Sequence, residues 1–160
     1  MIKVGDKLPD VTFTTMTAEG PQPATTAEIF GGRKVALFAV PGAFTPTCHL
    51  NHLPGFIEQA DAIKAKGVDT IACVSVNDVF VMNAWSDSTD AGTKIKFLAD
   101  GNAEFAKATG LELDASGFGM GTRLQRFAMI VNDGQVEVLN LEPQAGSAEV
   151  SSAGELLNAL

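Results

Sequence analysis

The chain has 160 residues, of which 46% are hydrophobic, so one domain over residues 1–160 can bury a sizeable core without disulfide bonds. Eleven basic and nineteen acidic residues give a net charge of −8, which argues against binding to nucleic acid or to an anionic membrane surface. The N-terminus has no apolar stretch of signal-peptide length, and the longest apolar run, Val35 to Val40, is too short to span a bilayer, so we expect a soluble, cytoplasmic protein.

Strand and helix signals alternate along the first two thirds of the chain. The continuous apolar run at 34–40 is typical of a strand that is covered on both faces. The remaining signals predict strands at 11–14, 69–76 and 95–98 and helices at 26–30, 79–85 and 102–109.

A helix is predicted directly after the apolar strand, starting at about Thr47 and ending near Gly67. Apolar residues recur in it at helical spacing. Pro54 lies inside this helix, where it lacks a backbone donor and clashes with the carbonyl four residues earlier. We therefore expect a kink near Leu50.

The last third of the chain predicts an antiparallel hairpin and a final helix. Strands at 127–131 and 136–139 flank the turn signal Asn132-Asp133-Gly134, and a helix is predicted at 153–160. The alternation of strands and helices, followed by a hairpin and a helix, predicts an α/β fold. We expect a thioredoxin-like mixed β-sheet with helices on both faces.

Residues 41–50, PGAFTPTCHL, carry the strongest chemical signal. Cys48 is predicted in the first turn of the kinked helix, where unpaired backbone amides and the helix dipole favour a thiolate, and Thr45 or Thr47 can cap the helix or donate to the sulfur. Stabilising a thiolate also lowers its nucleophilicity, so this activation alone accelerates the reaction only slightly. The site needs further groups that orient a substrate and stabilise a departing atom.

Two of the three arginines, Arg123 and Arg126, directly precede the predicted strand at 127–131. An arginine at the mouth of a strand can present its donors both to a thiolate and to an anionic leaving oxygen. Three residues along an extended segment reverse the side-chain direction, so Arg123 is expected either to orient the site from a distance or to face solvent.

The pattern Pro41-x-x-x-Thr45-x-x-Cys48 resembles the peroxidatic signature of peroxiredoxins. The longer string through Cys48, together with 52–56, HLPGF, is similar to their type 5 or type II branch. Further matches follow in the family's order at 74–78, 83–85, 126–129 and 140–143.

The resemblance implies a peroxidase that reduces hydrogen peroxide and organic hydroperoxides and needs no metal or other cofactor. Cys48 would attack the terminal peroxide oxygen and become a sulfenic acid. Thr45 would hydrogen-bond the peroxide and the sulfur, and Arg126 would hold the thiolate and polarise the O–O bond. Pro41 would shield the sulfenate from surplus water and oxidant.

Some members of this branch carry a resolving cysteine at a position that corresponds to about Val150, and no cysteine lies near it here. Cys73 lies in the predicted strand at 69–76, a context that favours a packing role. We therefore expect a one-cysteine cycle in which glutathione, glutaredoxin or thioredoxin reduces the oxidised Cys48.

The family also implies a homodimer packed beside the active-site loops. Phe44, Phe80 and Trp85 are candidate contact residues, although a loop phenylalanine and a helical tryptophan are equally ordinary core residues.

Both histidines admit other interpretations. His52 shares a helix face with Cys48, which permits a zinc site or a hydrolase with a Cys-His pair, but a structural histidine is favoured. His49 is expected to face solvent. A further alternative is a peroxide-sensing thiol-exchange module that uses Cys48 without turnover.

Overall fold

A computed structural model describes residues 1–160 as nine β-strands, five α-helices, one π-helix and one 3₁₀ turn. The strands are β1 Thr12–Thr17, β2 Gly20–Thr25, β3 Lys34–Ala39, β4 Thr70–Ser75, β5 Lys96–Ala99, β6 Glu112–Asp114, β7 Thr122–Leu124, β8 Phe127–Asn132 and β9 Gln135–Leu141. The helices are α1 Thr26–Phe30, the π-helix Cys48–His52, α2 Leu53–Ala65, α3 Val79–Ser88, α4 Glu104–Thr109 and α5 Ala153–Asn158, with the 3₁₀ turn at Ser116–Phe118.

Seven strands form one mixed sheet in the order β2-β1-β5-β4-β3-β8-β9. β3, β4 and β5 run parallel, whereas the remaining neighbours pair antiparallel. β6 and β7 form a separate two-stranded sheet. The predicted α/β fold with a thioredoxin-like mixed sheet is confirmed.

Helices cover both faces of the sheet because the side chains of the central strands alternate between two apolar clusters. Val35 and Leu37 of β3 join one cluster, to which α1 and α4 contribute. Ala36 and Phe38 join the other, to which α2, α3 and α5 contribute. Cys48 belongs to this second cluster. No helix has the length and apolar character needed to cross a membrane.

Near Leu50, where a kink was predicted, the regular α-helix is interrupted by a π-helix ahead of α2. The amide of Leu53 donates to the carbonyl of Cys48, five residues earlier. Pro54 has no amide to donate to Leu50, so the regular α-helical ladder is interrupted at this point. Cys48 is the first residue of the wide turn.

The sequence did not predict β2, β6 or β7. Pro21 and Pro23 interrupt the strand signal of β2, but β2 is an edge strand, and an edge strand tolerates residues that cannot donate to a neighbour. β6 and β7 have only three residues each, too few to show the alternation of apolar and polar residues that indicates a strand. The remaining predicted strands and helices are all present within a few residues of their predicted bounds.

Candidate active site

The loop that follows β3 delivers Cys48 to the carboxyl end of the central strands. Asn77, just beyond the end of β4, accepts through Oδ1 from the amide of Ala43 at 3.0 Å and from the Ser75 hydroxyl at 2.7 Å. Phe44 adopts a left-handed φ of 65° in the same loop. The position of Cys48 is therefore set by the ends of two adjacent parallel strands.

The Cys48 sulfur is fully buried and lies between two donors. Thr45 Oγ1 is 2.8 Å from Sγ, and Arg126 Nη2 donates to Sγ at 3.0 Å. Thr45 Oγ1 also lies 2.7 Å from the carbonyl of Gly42. Since a hydroxyl has one proton, Thr45 donates to Gly42 when the sulfur is a thiol and can turn its proton to a thiolate.

Arg126 is 2% exposed and directs each of its three nitrogens to a different acceptor. Nη2 reaches Cys48, Nε donates to the carbonyl of Ala145 at 3.0 Å, and Nη1 donates to His52 Nδ1 at 3.0 Å. The ion pairs of the structure, Lys3 with Asp6 and Lys34 with Glu137, do not involve Arg126. Arg126 is therefore a buried cation whose Nη2 donor is placed to stabilise negative charge that develops at the Cys48 sulfur.

His52 is a buried neutral acceptor for Arg126. A guanidinium can only donate and a carbonyl can only accept, so Nδ1 accepts from Arg126 while Nε2–H donates to the carbonyl of Ser151 at 2.8 Å. Burial, followed by the positive charge of Arg126, lowers the pKa of His52 from 6.5 to about 4. Neither nitrogen is free, so His52 is not a zinc ligand and cannot take a proton from Cys48 as a hydrolase would require.

Arg123 does not face solvent, and that alternative was wrong. Nε donates to the carbonyl of Met120 at 2.8 Å, and Nη1 donates to the carbonyls of Val76 at 3.1 Å and Pro41 at 3.4 Å. Arg123 does not touch the sulfur. It ties β7 to the loops after β3 and β4, and its contact with the Pro41 carbonyl helps to hold that buried residue in place.

Comparisons with known proteins show which family the chain resembles. A family model described as Redoxin matches residues 3–157. The chain is 54% identical to Peroxiredoxin-2E-2, chloroplastic, of Oryza sativa subsp. japonica over 99% of this chain and 72% of that protein. It is 48% identical to Peroxiredoxin-2B of Arabidopsis thaliana over 99% and 98%. A crystal structure of reduced Prx3 from Vibrio vulnificus in complex with H2O2 matches with a TM-score of 0.94 and 54% identity over 99% of both chains.

The chain belongs to the peroxiredoxin family. The resemblance to the type II branch is confirmed, and the chain is a thiol-dependent peroxidase.

Three residues near the peroxiredoxin site differ from what the sequence suggested for them. His49 is half-buried rather than solvent-facing, and its Nδ1 accepts from Trp85 Nε1 at 3.0 Å. Trp85 is fully buried, so it is not available as a direct contact with a second subunit. Thr47 neither caps the helix nor donates to the sulfur, because its hydroxyl donates to the carbonyl of Gly146 at 2.9 Å.

Cys73 lies in the middle of β4, within the same apolar cluster as Cys48, and both cysteines are free. Burial raises the pKa of the Cys73 thiol well above its ordinary value, and Cys48 adds to this rise. A neutral thiol packed between two neighbouring strands is a poor nucleophile. The packing role expected for Cys73 agrees with this placement.

Sequence reasoning missed the residues that support the site. Asn77, Glu142 and Ser151 hold the loops around Cys48 and Arg126. Asn77 and Glu142 lie in segments that resemble the family, at 74–78 and 140–143, but the resemblance gave them no role. The backbone carbonyls of Ala145 and Ser151 leave no trace in a sequence pattern.

Proposed function

We propose that Cys48, Thr45, Arg126 and Pro41 carry the peroxidase reaction of this chain. The observation that supports these roles best is the convergence of Thr45 and Arg126 on one buried sulfur, at 2.8 and 3.0 Å. Both are donors that can stabilise negative charge on the thiolate and on the oxygen that departs when the O–O bond of the peroxide breaks.

In the proposed reaction, an electron pair of the Cys48 thiolate attacks the terminal oxygen of a hydroperoxide and an S–O bond forms. The O–O bond breaks, and the departing oxygen takes up a proton to leave as water or an alcohol. Arg126 stabilises the negative charge that moves from sulfur to the departing oxygen, while Thr45 orients the peroxide. Pro41 covers the sulfur and limits access of a second oxidant molecule. The Vibrio vulnificus relative is described in complex with H2O2, which supports hydrogen peroxide as a substrate of this chain.

We propose that the sulfenic acid is resolved by an external thiol, either glutathione with glutaredoxin or thioredoxin. Cys73 is buried within a central strand, and its raised pKa keeps it a thiol. No cysteine lies near Val150 to take the resolving role. The external thiol condenses with the sulfenic acid, which forms a mixed disulfide and releases water. A second thiol then reduces the mixed disulfide and returns Cys48 to its thiol form.

Steady-state peroxide consumption tests both parts of this proposal. With glutathione and glutaredoxin, or with thioredoxin and its reductase, the wild type and Cys73→Ser should turn over many times with ping-pong kinetics. Cys48→Ser should consume no peroxide. A single stoichiometric burst with every reductant would instead favour the peroxide-sensing alternative, and loss of turnover in a folded Cys73→Ser would contradict the one-cysteine cycle.

We also propose a homodimer that packs beside the active-site loops. Phe44 and Phe80 are 48% and 65% exposed, which leaves both available as contacts. Large apolar side chains this exposed are typical of interaction surfaces when they cluster. Sedimentation at micromolar and lower concentrations should give a concentration-dependent dimer, and a monomer throughout would remove the proposal. The cytoplasmic location stays a prediction.

A further inference from the structure

One loop, residues 142–151, meets the active site through three of its backbone carbonyls. The carbonyl of Ala145 accepts from Arg126 Nε at 3.0 Å, that of Gly146 from the Thr47 hydroxyl at 2.9 Å, and that of Ser151 from His52 Nε2 at 2.8 Å. The loop lies between the end of β9 and the start of α5, so no strand or helix ladder fixes its shape. Other hydrogen bonds must hold it closed.

The carboxylate of Glu142 supplies these bonds. Its Oε2 accepts from the Glu149 amide at 3.1 Å, from the Ser151 amide at 3.0 Å and from the Ser151 hydroxyl at 2.8 Å. The amide of Glu142 donates to the carbonyl of Arg126 at 2.9 Å. Glu142 therefore joins the two ends of the loop and fixes both to the residue that holds the sulfur.

Glu142 is 5% exposed and remains ionised. Burial acts to raise its pKa, but the hydrogen bonds from Ser151 and from the amides of Glu149 and Val150 outweigh burial and hold the pKa below its ordinary value. A buried carboxylate with three donors on one oxygen is a rigid anchor.

We propose that Glu142 is a positioning residue of the peroxidase: by closing the loop at 142–151, it fixes the carbonyl groups that orient Arg126 and His52 toward Cys48. The proposal rests on the proposed role of Arg126 in the reaction. The arrangement orients the guanidinium through neutral acceptors, His52 Nδ1 and the Ala145 carbonyl, rather than through a carboxylate. A carboxylate in direct contact would neutralise the guanidinium, whereas neutral acceptors leave its charge to act on sulfur and on the departing oxygen.

The test compares Glu142→Ala with Glu142→Gln and with Glu149→Ala as the matched control. Glu149→Ala removes a carboxylate from the same loop, but its exposed side chain makes none of these contacts and its amide remains. Two quantities are measured: the second-order rate constant of peroxide reduction, and the pH profile of Cys48 alkylation read by intact mass. A role in folding alone would not move the pH profile.

Glu142→Ala should slow the peroxide step by about tenfold or more and move the alkylation profile to higher pH, because a displaced Arg126 no longer stabilises the thiolate. Glu142→Gln retains an acceptor oxygen and should stay within about threefold of wild type. Glu149→Ala should match wild type in both measurements. A folded Glu142→Ala with the wild-type rate and pH profile overturns the proposal, as does an equal effect of Glu149→Ala.

Variants of His52 decide the question if Glu142→Ala does not fold at the assay temperature. His52→Phe keeps an aromatic ring against Phe38 and Phe56 but can neither donate nor accept, whereas His52→Gln keeps one donor and one acceptor. His52→Phe should show the same slower peroxide reduction and the same shift of the alkylation profile to higher pH as Glu142→Ala. His52→Gln should lie close to wild type in both measurements. A wild-type rate and profile in His52→Phe overturns the proposal.

Arg126→Lys separates failure of this inference from failure of the proposed function. A lysine keeps the positive charge but cannot reach three acceptors at once, so the variant should be slow. If Arg126→Lys reacts at the wild-type rate, the proposed role of Arg126 fails. If it is slow and the Glu142 and His52 variants are not, only the positioning role of Glu142 fails.

Discussion

At the scale of single residues, the two hydrogen-bond donors beside the Cys48 sulfur differ in the number of protons that they can donate. Thr45 has one hydroxyl proton and two nearby acceptors, Gly42 O and Cys48 Sγ. Arg126 has protons for all three of its contacts and cannot lose its charge. The guanidinium therefore provides constant stabilisation, while Thr45 can respond to the ionisation state of the sulfur.

Removing the Thr45 hydroxyl should slow peroxide reduction. Thr45→Val keeps the shape of the side chain but cannot donate, and the loss of one donor at a developing charge costs about a hundredfold in kcat/KM. Thr45→Ser keeps the hydroxyl and should stay within about tenfold of wild type. Stopped-flow measurement of the peroxide step checks this, and a Val variant as fast as the Ser variant would contradict the role of the hydroxyl.

His52 should make the stability of the fold depend on acid pH. Burial and Arg126 lower the pKa of His52 from 6.5 to about 4, so between these values the unfolded chain binds a proton that the folded chain does not. The stabilisation is complete above about pH 6.5 and is lost as the pH falls toward 4. From pH 7 to pH 4, this group should cost about 3 kcal/mol of the free energy of unfolding.

Urea denaturation of wild type and His52→Gln at pH 7 and pH 4 isolates this contribution, because all other titratable groups are common to both proteins and only the imidazole of His52 is absent from the variant. The wild type should lose about 3 kcal/mol more than the variant over this range. Equal losses in the two proteins would mean that His52 is not held neutral by the fold.

The predicted placement of single residues agrees with the structure where a local motif or the family resemblance indicated the contact, and differs where neither did. Cys48, Thr45 and Arg126 meet as the resemblance implied. His49 was expected to face solvent, but Trp85, which lies 36 residues further along the chain, donates to it. The contacts of Arg123 with Pro41 and Val76 likewise join segments that no local pattern relates.

At the scale of elements, the sequence predicted where the helix after β3 departs from a regular α-helix but not which hydrogen bonds replace the regular ladder. The spacing of apolar residues reports which side chains are buried and does not distinguish a wide turn from an α-helical one. Pro54 gave the position of the interruption. The π-helix that results places Cys48 and His52 at its two ends.

The loop before the π-helix should not tolerate a side chain at Gly42. A Cβ there would lie 3.1 Å from Thr45 Cγ2, 3.2 Å from Met120 Cε and 3.3 Å from Arg123 Nη1. Met120 can move, but Thr45 and Arg123 are held by other contacts, so Gly42→Ala should displace them and lower kcat/KM for peroxide by about tenfold.

Gly55→Ala is the matched control for Gly42→Ala. Its Cβ would meet only Ala153 Cβ at 3.9 Å, an ordinary contact, and alanine favours the helical backbone of α2 by about 0.5–1 kcal/mol. Peroxide kinetics and thermal denaturation of both variants check the prediction. A Gly42 variant that retains the wild-type rate would show that the loop can adapt.

At the scale of the whole molecule, the register of the sheet explains why residues 78 positions apart meet at one sulfur. Ala39 at the end of β3 pairs with Phe127 at the start of β8, so the Cys48 loop and Arg126 leave the sheet side by side. Phe127 also pairs with Leu141, which places Glu142 beside Arg126. The parallel neighbour β4 ends at the same end of the sheet, and Asn77 follows it there.

The sequence predicted the central strands that end beside the active site, but it could not have predicted their order in the sheet. Apolar runs at 34–40 and 127–131 indicate two buried strands, and neither run indicates that they are neighbours. The resemblance to peroxiredoxins supplied that information indirectly, by implying that Arg126 reaches Cys48. It implied no contact between the loop at 142–151 and Arg126 or His52, because that loop contacts them through backbone carbonyls.

The central claim is that Cys48 is oxidised by peroxide and is then resolved from outside the chain. Intact mass after one equivalent of hydrogen peroxide tests it most directly, with and without glutathione. We predict the gain of one oxygen atom on Cys48 without glutathione and one glutathione in mixed disulfide with Cys48 when it is present. A loss of two hydrogens, with Cys48 and Cys73 joined in one disulfide, would contradict the claim.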